Sequence, residues 1–293
     1  MKRNYPVGIQ NFEEIRKGNY LYIDKTALIY RLVESGKYYF LSRPRRFGKS
    51  LLISTLEAYF QGRKELFEGL AMETLETEWT EYPILHLDLN TKKYENHSSL
   101  NEILNQHLEK WEAVYGDEKK ERSPEERFSY MIEKISTVTG RNVVILIDEY
   151  DKPMLQAIGN EALLTDYRNT LKAFYGVMKS CDRYIKFALL TGVTKFSKVS
   201  VFSDLNNLMD ISMSNRFANL CGITEEELYS NFQEDIIELG RQNKLTEEET
   251  KAALKEMYDG YHFTEESEDI YNPFSLLNTF CLLYTSDAAD ERS

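Results

Sequence analysis

The stretch YYFLSRPRRFGKSLL, residues 38–52, decides the fold. An apolar run, a cluster of arginines, Gly48-Lys49-Ser50 and a second apolar run read as strand, tight turn and helix start. Such a turn suits a phosphate, because the first N–H groups of a helix lack intrahelical partners and carry positive partial charge. Its lysine reaches the β- and γ-phosphates, and its Ser or Thr hydroxyl ligates Mg2+. The usual spacing, G-x-x-x-x-G-K-[ST], puts a glycine at position 43, where this chain has Arg43 followed by Pro44. Proline removes one N–H and fixes φ, but on the entry limb of the turn, away from the lysine. A bare GK[ST] arises by chance in about one chain in seven of this length. Alone it is equally well a basic helix-capping turn, so support must come from elsewhere.

NVVILIDE, residues 142–149, supplies it. Five consecutive apolar residues, mostly β-branched, suit a parallel strand covered on both faces. Two carboxylates follow. Nucleotide hydrolysis needs an Asp at a strand end to hold Mg2+ and a base or water-positioning group beside the γ-phosphate. Asp148 and Glu149 answer to those roles. YIKFALLTG, residues 184–192, is a further strand with Thr191 at its tip. In P-loop ATPases with a Glu after the strand-end Asp, an extra strand lies between the two motif strands, and its polar tip senses the γ-phosphate. The expected site is therefore Glu149, Lys49 and Thr191 for catalysis. Arg45, Arg46, Phe47, Gly48, Lys49, Ser50 and Leu51 hold the nucleotide, and Ser50 and Asp148 the metal. ATP and Mg2+ are the expected cofactors. Arg216, Lys195 and Lys198 are candidates for an arginine finger or lid cation.

The chain has 293 residues, 42% hydrophobic and 29% charged, an ordinary balance for a globular protein of one large domain or two modest ones. No apolar run approaches the roughly 20 residues of a membrane span, and the start lacks the apolar core of a secretory signal. Cys181, Cys221 and Cys281 are too few and too scattered for a disulfide framework or a Cys-based zinc site. The four histidines show no ligand spacing. A cytoplasmic protein is expected, with no membrane partner. The formal net charge is −12, yet residues 1–50 hold eleven Lys/Arg against four Asp/Glu. An acidic body disfavours broad nucleic-acid binding, whereas a local positive site around 43–49 suits a small polyanion.

The remaining pattern alternates strands and helices. Asp24 or Thr26 caps a helix ended by Gly36, and Tyr20 or Tyr22 lies within reach of a nucleotide base. PILHLDLN (83–90) is a strand in which His86 is a strand residue and Asp88 makes a strand-end turn. Helices are expected over 99–115, 124–138 and 161–180, and a further strand within 206–214. From 224 to 280 only helices are evident, with aromatics of YDGYHF (258–263) packing inward after a left-handed turn at Gly260. The expectation is an α/β P-loop NTPase with a parallel αβα sheet and a small C-terminal all-helical subdomain.

Seven blocks, YIDKTALI, FLSRPRRFGKSLL, VVILIDEYDKP, LLTGVTKFS, CGITEEEL, MYDGYHF and YNPFSLLN, resemble in this order those of the AAA-ATPase-like proteins of bacteria and archaea. The resemblance spans about residues 5–280. It implies that the arginine-fronted loop is the family's own Walker A form and that Asp148-Glu149 is its Walker B pair. The chain is expected to divide into an AAA-like ATPase core (1–222), a helical subdomain (223–281) and a non-native tail (282–293). LLYTSDAADERS in that tail resembles translated adapter sequence. Members usually continue into a PD-(D/E)XK nuclease-like domain. The expectation here is a truncated chain without it, nucleic acid being reached only through that missing domain. A trans arginine finger would imply self-association. The expected function is Mg2+-dependent ATP hydrolysis that regulates the missing domain. The alternative is a nucleotide-binding switch with little turnover, and Glu149, which a pure switch does not need, favours hydrolysis.

Overall fold

Five short apolar runs pair into one parallel sheet: β1 (Tyr38–Ser42), β2 (Ile84–Asp88), β3 (Val143–Asp148), β4 (Ile185–Gly192) and β5 (Met209–Asp210). Their order is β2-β3-β4-β1-β5, so β4 lies between the strands that carry the two motifs. The structure, a computed structural model, describes residues 4–194, 201–202, 205, 207–258, 261–264 and 269–290, with side chains to Leu282. Lys195, Lys198, Gly260 and the last three positions of the expected tail lie outside the described residues.

Helices cover both faces. They are α1 (Phe12–Lys17), α2 (Thr26–Ser35), α3 (Lys49–Phe60), α4 (Ala71–Leu75), α5 (Ser98–Tyr115), α6 (Pro124–Thr139), α7 (Lys152–Gln156) and α8 (Glu161–Ser180). Alternation along β3 sets the layers, because successive strand residues point to opposite faces. Val143, Ile145 and Ile147 pack with Leu104, Ile132 and Phe174 of α5, α6 and α8. Val144 and Leu146 pack with Ile29 of α2 and Ile53 and Leu56 of α3. All six residues of β3 are buried, as its uninterrupted apolar run requires. Truncating Ile145 to Ala is therefore a core cavity costing about 2–5 kcal/mol.

Local signals place the helix ends. Ser123 and Glu126 form a capping box ahead of Pro124, and Gly140 ends α6 in the left-handed region. The Asp24 carboxylate accepts from the Thr26 N–H at 2.8 Å and from the Ala71 N–H at 2.8 Å, which makes it a cap for both α2 and α4. The strand expected within 206–214 pairs only at Met209–Asp210. The chain then turns, because the Asp210 carboxylate accepts from the Ser212 N–H at 2.9 Å while Ser212 Oγ accepts from the Ser42 N–H at 2.8 Å.

Past residue 222 come α9 (Glu225–Asn243), α10 (Glu247–Tyr258) and α11 (Pro273–Asp290). A two-residue antiparallel pair, β6 (Ile223–Thr224) with β7 (Ile270–Tyr271), joins these helices. α11 passes through position 282 without a break. A third apolar cluster holds Phe232, Ile236, Leu254, Leu276 and Phe280, and Tyr5 from the opposite end of the chain. The Tyr5 hydroxyl donates to the buried Asp235 carboxylate, and Lys25 pairs with Glu227 at 2.5 Å. The N-terminal segment is thus strapped to the C-terminal helices. No described helix is long and apolar enough to cross a membrane.

Candidate active site

The loop between β1 and α3 is shaped by its backbone. Gly48 sits at φ 93° directly before Lys49, a conformation L side chains rarely adopt, although a Cβ there would meet nothing within 4 Å. The requirement for glycine is conformational rather than steric. Arg46 at φ 66° and Glu149 at φ 55° are also left-handed, at a cost of about 1–2 kcal/mol each for non-glycine residues. Both border a single cavity of ≈ 450 Å³, with Arg45, Lys49, Ser50 and Lys152 also in its wall. Strain gathered at one cavity is a mark of a functional site.

The Asp148 carboxylate ties the elements together. Its Oδ2 accepts from Ser50 Oγ at 2.6 Å, and its Oδ1 accepts from Thr191 Oγ1 at 2.5 Å and from the Glu149 N–H at 3.0 Å. The loop after β1, the tip of β3 and the tip of β4 therefore meet on one side chain. Lys49 is 4% exposed and donates to the carbonyls of Arg43 at 3.0 Å and Pro44 at 3.1 Å. Its Nζ lies 3.9 Å from Glu149 Oε1, too far for a hydrogen bond. Burial pushes the Glu149 carboxyl above its ordinary range. Lys49 opposes the rise, and Asp148 and Asp151 add to it.

Two loop residues turn away from the cavity. Arg43 is 1% exposed, and its guanidinium donates to the carbonyls of Ser42 at 2.9 Å, Ser212 at 2.8 Å, Phe217 at 3.4 Å and Ala218 at 3.2 Å. It also lies 3.9 Å from the centre of the Phe263 ring. The two terminal nitrogens of the planar fork meet this ring of acceptors, while the buried Nε has no hydrogen-bond partner among the described residues. The positive patch expected over 43–49 is therefore Arg45, Arg46 and Lys49 alone. The Phe47 side chain is fully buried against Tyr261 and Phe263, with ring centres 4.6 and 5.6 Å away, and Phe47 is not in the wall of this cavity. Arg46 stacks on Phe274 at 3.9 Å. Arg216 is exposed over Phe217 and is not part of the cavity wall.

A smaller apolar cavity of ≈ 100 Å³ adjoins the first at Gly48 and Leu51, walled by Tyr22, Ile23, Leu220 and Ile223 among others. Tyr22 is in this wall and Tyr20 is not. Three participants escaped the sequence. Lys152 and Asn90 reach the larger cavity from α7 and the turn after β2. Asp151 is fully buried, and its Oδ2 accepts from the N–H groups of Val193 and Thr194 at 3.0 and 2.7 Å and from Thr194 Oγ1 at 2.7 Å. It shapes the turn after β4. Gly192 allows this close approach, since a Cβ there would lie 2.4 Å from the Tyr150 ring. The acidic DEYD run was the available signal, because a second carboxylate just past a strand end needs donors of its own.

The AAA-ATPase-like family, described as "Predicted AAA-ATPase", matches residues 6–202. An "Uncharacterized protein in vnfD 5'region" of Azotobacter chroococcum mcd 1 is 38% identical over 281 residues, which are 95% of this chain and 52% of the relative. The chain thus spans about half the length of that relative. No solved structure matches. The family match over most of the chain, the sheet order and the joined loop and strand tips lead to one conclusion: the chain belongs to the AAA-ATPase-like family.

Proposed function

We propose that the chain binds ATP with Mg2+ in the larger cavity and hydrolyses it. The observation that carries this reading is the hydrogen-bonded series Ser50–Asp148–Thr191, with Lys49 and Glu149 beside it. A hydroxyl and a carboxylate are hard oxygen donors, so Ser50 and Asp148 fit Mg2+, bound directly or through its water. When bound, the ion would neutralise charge on the phosphate oxygens. The α3 N-terminus and Lys49 bind the β- and γ-phosphates, Lys49 exchanging two backbone carbonyls for phosphate oxygens. Arg45 and Arg46 meet the phosphates at the cavity mouth, and the adjoining apolar cavity takes the base. Removal of Lys49 to the phosphate leaves Glu149 free to orient a water and accept its proton. Thr191, on the strand between the two motifs, reports the γ-phosphate to Asp148.

A second reading, a switch with little turnover, draws on the contacts from the loop to the C-terminal segment. Phe47 on Tyr261 and Phe263 would pass nucleotide occupancy to the segment ahead of α11, and Arg46 on Phe274 to α11 itself. On this reading the output is control of a further domain, of the nuclease-like kind that the family resemblance implies. Both readings require binding, and calorimetry with ATP, with and without Mg2+, tests it on the wild type and Lys49→Ala. Saturable, Mg2+-dependent binding lost in Lys49→Ala is the expected result. A folded wild type that binds no ATP rejects both. Phosphate release by the wild type, lost in Glu149→Gln, separates hydrolysis from switching.

A further inference from the structure

Behind Ser50 lies a third cavity, of ≈ 230 Å³ and mostly polar. One wall is a stripe of α3. Ser50, Ser54 and Glu57 recur at i, i+4 and i+7 and so share one helix face. The opposite wall comes from β2, where His86 and Asp88 alternate with the buried Leu85 and Leu87. Asp88 is aligned with Asp148 of β3 in the sheet register. Aligned residues of neighbouring parallel strands point to the same face, with strands about 4.8 Å apart. Two carboxylates thus stand side by side at the strand tips, one of them bonded to Ser50.

The charge in this cavity is unbalanced. Glu57, Asp88 and Asp148 face it, and the one basic side chain in its wall is His86, whose Nδ1 lies 3.4 Å from Glu57 Oε2. Burial opposes a charge on His86, yet Glu57, then Asp148 and Asp88, outweigh it and raise its pKa. Asp88 Oδ1 accepts from the Asn90 N–H at 2.8 Å, the expected strand-end turn. Its other oxygen has no hydrogen bond among the described residues. The described residues contain no group of three His, Cys, Asp or Glu side chains close enough to ligate a metal directly. Mg2+ does not need one. It keeps several waters and takes one or two carboxylates, and those waters need acceptors.

We propose that Asp88 is a positioning residue for the water shell of the cation held by Ser50 and Asp148, and that it sets how tightly the cation is bound. This rests on the nucleotide reading above. Its test is a Mg2+ titration of binding of the non-hydrolysable analogue AMP-PNP, by calorimetry on the full chain, with an EDTA arm. The proteins are wild type, Asp88→Asn and Asp148→Asn. Asparagine keeps a side-chain oxygen for the Asn90 N–H, so the turn survives. The expected result is an Asp88→Asn protein that binds the analogue in EDTA as wild type does and needs 10–100-fold more Mg2+ for half-saturation, the usual loss when an outer-sphere partner is removed. An Asp88→Asn titration identical to wild type, with Asp148→Asn impaired, overturns the proposal alone. So does equal weakening with and without Mg2+, which would mark Asp88 as merely structural. A wild type without Mg2+-dependent binding overturns the nucleotide reading, and this proposal with it. Should Asp88→Asn not melt cooperatively, Asp88→Ser is judged by the same criteria.

Discussion

Two buried cation–carboxylate pairs stand in sharp contrast. Arg127 and Glu112, between α5 and α6, are joined by two hydrogen bonds of 2.7 and 2.6 Å, and both side chains are almost wholly buried. Arg127 reaches Asn105 as well, at 2.6 Å. Lys49 and Glu149 are also largely buried, but 3.9 Å apart. Lys49 turns to backbone carbonyls, and the Glu149 carboxylate accepts no hydrogen bond among the described residues. The first pair is satisfied and complete. In the second, burial acts on two groups that do not fully answer each other, and the carboxyl's raised pKa records it. A buried pair that is closed holds structure, and one left slack is available to a third party.

The contrast is breakable by measurement. Glu149→Gln is expected to reduce phosphate release by about 10²–10⁴-fold, the usual yield of a positioned base, with nucleotide affinity retained. Wild-type turnover would remove Glu149 from that role. Arg127→Met is expected to cost about 3–5 kcal/mol in denaturant unfolding, because it strands a buried carboxylate. Adding Glu112→Leu should restore most of that loss. A double variant as unstable as the single one would mean that packing, not charge, is lost at this site. Thr191→Val removes a hydroxyl from the charged Asp148 at nearly constant shape, worth about 1.5–3 kcal/mol of stability. It should also narrow the affinity difference between ATP and ADP, and an unchanged difference would assign Thr191 to structure alone. The smallest effect concerns His86. Its folded pKa is raised above 6.5, so its contribution is complete below 6.5 and is lost as pH rises through the folded value. His86→Asn should lower the melting temperature at pH 5.5 and hardly change it at pH 8.5.

Much of this was legible in the chain itself. β1 and β3 read directly as strands because both their faces are covered, which leaves an unbroken apolar run. The helix over 161–180 is found at those residues because Asn160 caps it and its apolar spacing is regular. The order of the motif strands was expected from the resemblance to P-loop ATPases with a Glu after the strand-end Asp, and β4 does lie between β1 and β3. What escaped depended on distant partners. The inward turn of Arg43 is set by carbonyls about 170 residues further on, which no local pattern signals. β5 is an edge strand whose length is decided by where Asp210 and Ser212 find hydrogen bonds. Asp88 was read as a turn residue, and it is one. Its second carboxylate oxygen becomes visible only when β2 is laid beside β3.

Arg43 has a thermodynamic consequence for the loop it opens. A glycine at this place would leave a freer loop, whose freedom would be surrendered when a ligand arrives. Here the entry limb is already braced on four carbonyls and an aromatic ring. If the loop binds nucleotide as proposed, less disorder would remain to be lost, and preorganisation of that kind would appear directly as affinity. On the nucleotide reading proposed above, the arginine that seemed to spoil the motif would act on the entropy of association without touching the phosphate.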